Sequence, residues 1–190
     1  MLYNYESENL TYEILSDDAA PFILEFYSAN RDIFEPYEPD KPSGFYTLEY
    51  QATMAKLEYE NFLRGKSARF WLHRKTQPGI IIGCVSFNNI VKGSFQYCTI
   101  GYKIHKSHMG LGYATEAVHF LTQIICMQFG MHRVEAYIHP DNKASIALAE
   151  KCGFTFDGIS KEYVYMKGAW VDHLRYTYIH HDPSSLVITE

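Results

Sequence analysis

The stretch IGYKIHKSHMGLGYATEAVHFL, residues 100–121, constrains this chain more than any other. A strand-like apolar run enters a short loop carrying Gly110 and Gly112, and a helix-like run follows with no linker. A helix that opens directly after such a loop collects free backbone N–H groups and the positive end of its dipole, which attract phosphate. Glycine accepts φ > 0 and carries no Cβ, so a pyrophosphate can approach the backbone closely at both positions. No acidic residue follows the loop until Glu116. Each charge-assisted hydrogen bond contributes roughly 1.5–3 kcal/mol, so several together offset the lack of a cationic side chain in residues 109–115. A glycine-eased turn is the other reading that a bare G-x-G permits.

Two other phosphate loops do not fit. The P-loop pattern G-x-x-x-x-G-K-S/T is absent. A dinucleotide fingerprint needs a third Gly or Ala where Thr115 stands, and it needs the first Gly tight against the strand, whereas HKSHM intervenes. Glu135 lies at the right distance for a ribose-binding acid, but it falls at the start of its strand.

Around this stretch the chain alternates strands and helices without repeats or long linkers. LTYEIL (10–15) alternates as a first strand, and residues 16–30 read as a helix capped by Ser16 or Asp17, with Pro21 in its first turns. RDIFEPYEPDKPSG (31–44), rich in proline, reads as an irregular loop. A second helix over 46–64 places Ala52, Ala55, Tyr59 and Phe62 on one face and stops at Gly65. ARFWLH, GIIIGCVSFNN and SFQYCTIGYKI follow as strands in antiparallel hairpins, joined at Gln77-Pro78-Gly79 and Lys92-Gly93. A third helix over 114–129 buries Ala117, Val118, Leu121 and Ile125. RVEAYI is a strand, NKASIALAEKCGF a helix ending at Gly153, and two strands flank the MKGAW turn. The order β-α-α-β-β-β-α-β-α-β-β predicts a single mixed α/β (α+β) domain over residues 1–190. Its central sheet is mostly antiparallel, with one pair made parallel by a crossover helix.

Composition narrows the function classes. A formal charge of -5 argues against direct nucleic-acid binding. No apolar run approaches the roughly 18 residues of a membrane span, and the N-terminus lacks a signal-peptide pattern. Cys84, Cys98, Cys126 and Cys152 are widely spaced without C-x-x-C, which suits a reduced, cytoplasmic thiol set. The histidines show no H-x-x-x-H helix pair and His180 and His181 are adjacent, so no metal is expected.

IGYKIHKSHMGLGYATEA resembles the cofactor motif of the GNAT superfamily of acetyl-CoA-dependent N-acetyltransferases, in which Q/R-x-x-G-x-G/A opens a helix directly after a strand. Met109, Gly112 and Ala114 fill the defined places; Met109 departs from the usual residue at a loop that binds mainly through backbone N–H. With HPDNKASIALAEKCGF and YVYMKGAWVDHLRYTYI, the chain is similar from residue 10 to 179 to the Rim-type branch, which modifies ribosomal-protein N-termini and other amines.

The resemblance implies acetyl-CoA as co-substrate, with Met109, Gly110, Leu111, Gly112, Tyr113, Ala114 and Thr115 around its phosphates. It also implies a V-shaped opening between CTIGYKI and RVEAYI, where backbone groups of Tyr102, Lys103 and Ile104 hold the pantetheine and polarise the acetyl carbonyl. A bulge near residues 99–101 would splay the strands, and Gly101 suits a close backbone approach. In the family's N-x-x-S pattern, Asn142 contacts the cofactor arm and Ser145 protonates the leaving thiolate, with Tyr137 and Tyr163 as alternative donors. Capping and first-turn roles explain Asn142 and Ser145 equally well.

Glu135 leads as general base, on the expectation that it faces away from the helix-covered side of its strand, and Glu162 follows; a plain structural carboxylate is the alternative for both. Phe34 and Tyr37 stand where the branch carries its acceptor-lining loop, with Gly101 counted beside them, although both aromatics could simply pin that loop. Glu35, Glu38 and Asp40 make the loop acidic. Trp170 and Asp172 match the family's tail and read as structural. The expected reaction is direct transfer, without an acyl-enzyme, to a protein or peptide N-terminal amine. A small amine, or a non-enzymatic CoA-binding module, is the alternative. A monomer or homodimer is expected.

Overall fold

Alternation along the strands sorts the apolar residues into two layers. Phe70, Leu72, Val85 and Phe87 point to one side, and Trp71 and Cys84 between them point to the other. The structure, a computed structural model, describes residues 4–181. Its strands are β1 (Asn4–Glu6), β2 (Leu10–Glu13), β3 (Ala68–Arg74), β4 (Gly83–Val91), β5 (Tyr97–Ile104), β6 (Arg133–Ile138), β7 (Thr155–Met166) and β8 (Ala169–Ile179). They form one sheet in the order β1-β2-β3-β4-β5-β6-β8-β7, antiparallel throughout except for β5 and β6. The helices are α1 (Ala20–Ala29), α2 (Arg31–Phe34), α3 (Leu48–Leu63), α4 (Tyr113–Phe129) and α5 (Lys143–Lys151).

Helix α4 supplies Ala117, Val118, Leu121 and Ile125 to the larger core, and each is fully buried. At about 1.5–3 kcal/mol for each large apolar side chain, this stripe holds the helix against β4 and β5. On the opposite face, α1 and α3 enclose Ile23, Phe26, Tyr27 and Ala55 around Trp71. Thr47 caps α3 by accepting the Tyr50 N–H, and Gly65 follows its end at φ 66°.

Four expectations need correction. A short strand, β1, precedes the first one read from the sequence; it pairs with β2 and buries Tyr5 against Phe70. Neither Ser16 nor Asp17 caps α1: they open a 3-10 turn, Asp17–Ala19, and α1 starts after it with Pro21 in its first turn. Residues 31–44 are not wholly irregular, because α2 and a 3-10 turn, Glu35–Tyr37, order the first half. The bulge lies across from the place expected. Asn88 pairs with Thr99 and Val91 with Tyr97, so the extra residue sits in β4, where Asn89 has φ 52°.

The parallel pairing is short, and that shortness makes the opening. β5 and β6 are in register from Tyr97–Arg133 to Ile100–Ala136 and no further. Beyond that point β5 stays bonded to β4 through the Gly83–Ile104 pair, while β6 stays bonded to β8 through Ile138–Leu174. The two strands part and leave a wedge between residues 101–104 and 137–138. Gly83 permits the close β4–β5 packing, since a Cβ there would lie 2.5 Å from the Lys103 carbonyl oxygen.

Candidate active site

The loop expected to hold the cofactor is assembled at the end of β5. His105 and a 3-10 turn, Lys106–His108, carry the chain to Met109, and Gly110 and Gly112 then take φ of 75° and 86°. The ladder of α4 starts with the Glu116 N–H on the Gly112 carbonyl at 3.0 Å. The amides of Tyr113, Ala114 and Thr115 therefore have no intrahelical carbonyl and point out of the helix end. Met109 and Leu111 are exposed and leave the backbone clear. Glu116 is turned away: Ser7 Oγ donates to it at 2.5 Å, and Asn9 donates through its backbone N–H at 2.7 Å and its side chain at 3.0 Å. Desolvation raises its pKa, but these bonds outweigh that and hold it below the usual value.

The fold also brings a cation that residues 109–115 lack. The Arg74 guanidinium, at the end of β3, lies 5.8 Å from the Tyr113 ring centre, and the His108 ring lies 6.2 Å from it. Burial and then the nearby charges of His105 and Arg74 lower the His108 pKa. Sequence reasoning missed Arg74 because nothing local ties the end of β3 to the start of α4. It also missed Asn30, which is fully buried. Asn30 accepts the Lys106 N–H at 2.8 Å and donates to the Phe26 carbonyl at 2.6 Å, fixing the loop's start to α1.

The wedge between β5 and β6 is a cleft of about 280 Å³ with two chemically different walls. On the α4–α5 side, Tyr102 and Ser145 form a reciprocal pair. Ser145 Oγ donates to the Tyr102 phenol at 2.9 Å, and the phenol donates to the Ser145 carbonyl at 3.0 Å. Desolvation pushes the Tyr102 pKa up to about 12, so the phenol keeps its proton near neutrality. Asn142 caps α5 by accepting the Ser145 N–H at 3.1 Å, and it also lines the cleft.

The opposite wall is aromatic. Tyr137 and Tyr163 stack at 4.2 Å with ring planes 9° apart. His139 lies 5.8 Å from Tyr37 and 5.9 Å from His173. Phe34, Tyr37, Gly101 and the backbone at Tyr102 and Lys103 complete the lining. Ile104 packs instead against the core. The Lys103 side chain pairs at 2.5 Å with Glu38, which also lines the cleft.

Glu135 does face away from the α4 core, as its neighbours Val134 and Ala136 are buried there, yet it is not in the cleft lining. Arg133 donates to one of its oxygens at 2.5 Å and the Tyr137 hydroxyl to the other at 2.7 Å. Those bonds make it an anchor for Tyr137 more readily than a proton acceptor. Glu162 is exposed at a bulge of β7, φ 46°, where its N–H donates to Asp172 at 2.8 Å. Asp172 braces that bulge, and Trp170 packs edge-on to Tyr165.

All four cysteines are buried and unbridged. Desolvation raises Cys126 to about 12 and Cys152 to about 11 and also raises Cys84 and Cys98, so none is poised as a thiolate. Among the described residues no cluster of His, Cys, Asp and Glu could hold a metal, and no helix is long and apolar enough to cross a membrane.

Residues 10–155 match the family described as Acetyltransferase (GNAT) domain. Over 150 residues the chain is 33% identical to a probable N-acetyltransferase of Bacillus subtilis, covering 79% of this chain and 82% of that one. It is 30% identical over 169 residues to the ribosomal protein uS5-alanine N-acetyltransferase of Escherichia coli, covering 88% and 86%. The solved ribosomal-protein-S5-alanine acetyltransferase of Vibrio fischeri superposes with a TM-score of 0.87 at 27% identity, over 94% of this chain and 97% of that one.

Proposed function

The chain belongs to the GNAT family of acetyl-CoA-dependent N-acetyltransferases, and we propose that the amine it acetylates is the free N-terminus of a protein or peptide. The observation that carries this reading is the charge pairing in the acceptor loop. Glu35 is paired with Arg31, Glu38 with both Lys41 and Lys103, and Asp40 accepts the Lys167 N–H. Two of the three acids are thus paired with cations and Asp40 is held by a backbone N–H, and Lys41 and Lys103 leave the Glu38 cluster net positive. A singly charged amine flanked by aromatic side chains suits that environment better than a polyamine does. The E. coli relative is named for acetylating an alanine of ribosomal protein uS5, which agrees with this class of acceptor.

Energetics support the same choice. An α-amino group, with a reference pKa of roughly 7.7–8.0, costs about 1 kcal/mol to deprotonate at neutral pH, against between about 4 and 5 for lysine. In this reading acetyl-CoA lays its phosphates on the amides of residues 110–115, beside Arg74. Its pantetheine enters the wedge, and the acetyl carbonyl meets the open backbone edge of β5. Ser145 and Tyr102 stand on the wall where the thiolate leaves, and the amine arrives from the aromatic wall. Transfer is direct, and holding both reactants in one cleft supplies much of the rate.

The test is kinetics on short peptides with free and blocked N-termini beside polyamines and aminoglycosides. Free-N-terminus peptides should show kcat/KM at least about tenfold above any small amine. The reverse order would overturn the acceptor and leave acetyl transfer standing.

A further inference from the structure

From the aromatic wall we infer that His173 is the group that takes the proton from the acceptor amine, a role no carboxylate in the cleft is placed to fill. The inference rests on the reading that an amine is acetylated in this cleft. Of the two carboxylates expected to act there, Glu135 is engaged by Arg133 and Tyr137, and Glu162 is exposed on β7 outside the cleft lining; Glu38, which does line the cleft, is paired with Lys41 and Lys103. His173 lines the cleft near the middle of β8, and only 5% of it is exposed.

Its hydrogen bonding fixes which nitrogen is basic. Nδ1 lies 3.2 Å from the Val171 carbonyl. A carbonyl can only accept, so the neutral ring carries its proton on Nδ1 and its lone pair on Nε2. His139 is set the other way: its Nδ1 accepts the Asp141 N–H at 3.1 Å, so the neutral ring carries its proton on Nε2. The two rings meet edge to face at 5.9 Å.

The groups facing His173 are consistent with a neutral ring near pH 7. His139 faces it from the segment after β6, Tyr163 from β7 at 5.6 Å, and Asp172 adjoins it on β8. Desolvation comes first and lowers its pKa, and the charge of His139 acts in the same direction. The bonds to the Val171 and Asp172 backbone and the Asp172 charge oppose them without reversing the shift.

The transfer conserves protons and electrons. The bound ammonium gives one proton to Nε2 and becomes a nucleophile. Its lone pair forms the C–N bond, the C–S bond breaks with its electron pair on sulfur, and the nitrogen sheds its second proton to solvent. Sulfur takes a proton from the Tyr102–Ser145 hydroxyl pair, which solvent restores, and His173 returns its own proton to solvent.

The experiment is the pH profile of kcat/KM for the wild-type enzyme and for His173→Gln, with CoA affinity measured by calorimetry on both. In the wild type the acid limb should have its midpoint below about 6.5, the ordinary imidazole value. His173→Gln should keep CoA affinity within about twofold. It should lose about a hundredfold in kcat/KM at pH 7, with its limb moving up to the amine's own pKa of roughly 7.7–8.0. A wild-type limb already at the amine's pKa would overturn the assignment, as would a variant that keeps the wild-type limb. The wild-type limb decides the matter alone if the variant does not fold. Should only small amines prove to be acceptors, the peptide reading fails, and the same limb, measured on that amine, still tests His173.

Discussion

Replacing Gly112 with valine separates the cost of a backbone conformation from the loss of a binding site. Gly112 sits at the N-cap of α4 with φ 86° and ψ -13°, and a Cβ placed there meets nothing within 4 Å. Sterics with neighbours therefore contribute nothing, and the whole effect is conformational. An L-residue in the left-handed region costs roughly 1–2 kcal/mol, and a β-branched one is a stronger outlier. If the loop keeps its shape, that cost appears as a melting temperature lower by about 2–4 °C per kcal/mol for a chain of this size. If the loop relaxes instead, the amides of residues 112–114 turn from the phosphates. Each lost charge-assisted bond of roughly 1.5–3 kcal/mol then raises the CoA dissociation constant by about ten- to a hundredfold. Gly130 provides the control. It caps the other end of the same helix at φ 71° and ψ 35°, and a Cβ there would again have nothing within 4 Å. Gly130→Val should lower the melting temperature comparably and leave CoA affinity unchanged by calorimetry. A folded Gly112→Val protein with both a wild-type melting temperature and wild-type CoA affinity would refute the phosphate-loop argument.

Three further outcomes are expected. Ser145→Ala and Tyr102→Phe should each lower kcat more than they change the acetyl-CoA KM; the α5 cap should survive Ser145→Ala because Asn142 accepts the backbone N–H of Ser145. A Ser145→Ala enzyme with unchanged kcat would remove the proton-donor role. Glu116→Gln should destabilise the protein, since the folded-state pKa of Glu116 lies below its ordinary 4.5. That contribution is fully present above the unfolded value and is lost as pH falls through the folded one, so the two melting curves should converge in acid. Gly83→Val, whose Cβ would lie 2.5 Å from the Lys103 carbonyl oxygen, should distort the arm of the wedge and weaken both stability and CoA binding. Calorimetry and melting read the outcome, and a variant unchanged in both would show that the arm tolerates the shift.

Local pattern carried much of this protein. The strand–glycine loop–helix order at residues 100–121, the apolar stripe of α4 and the Asn142 cap of α5 are properties of neighbouring residues, governed by periodicity, φ and hydrogen-bond reach. For that reason they could be read along the chain, as could the hairpins and the single parallel crossover. β1 escaped because three residues are too few to display alternation.

The chemistry of the cleft depends on juxtapositions that no local pattern encodes. Tyr102 and Ser145 meet because β5 and the start of α5 close on one another. Arg74 reaches Tyr113, at the start of α4, from the end of β3. Tyr37, His139, Tyr163 and His173 share a wall although they come from a loop, the end of β6 and two other strands. The acidic loop shows the difference most clearly. Its sequence displays Glu35, Glu38 and Asp40 but not Lys103, which folds against Glu38 and offsets its charge, nor the Lys167 backbone N–H that Asp40 accepts. Periodicity and dihedral preference act over a few residues, so the sequence determines most of the elements and the strand–glycine loop–helix join. Charge pairing, desolvation and tautomer depend on distance in space, so only the packed structure decides which groups can move a proton.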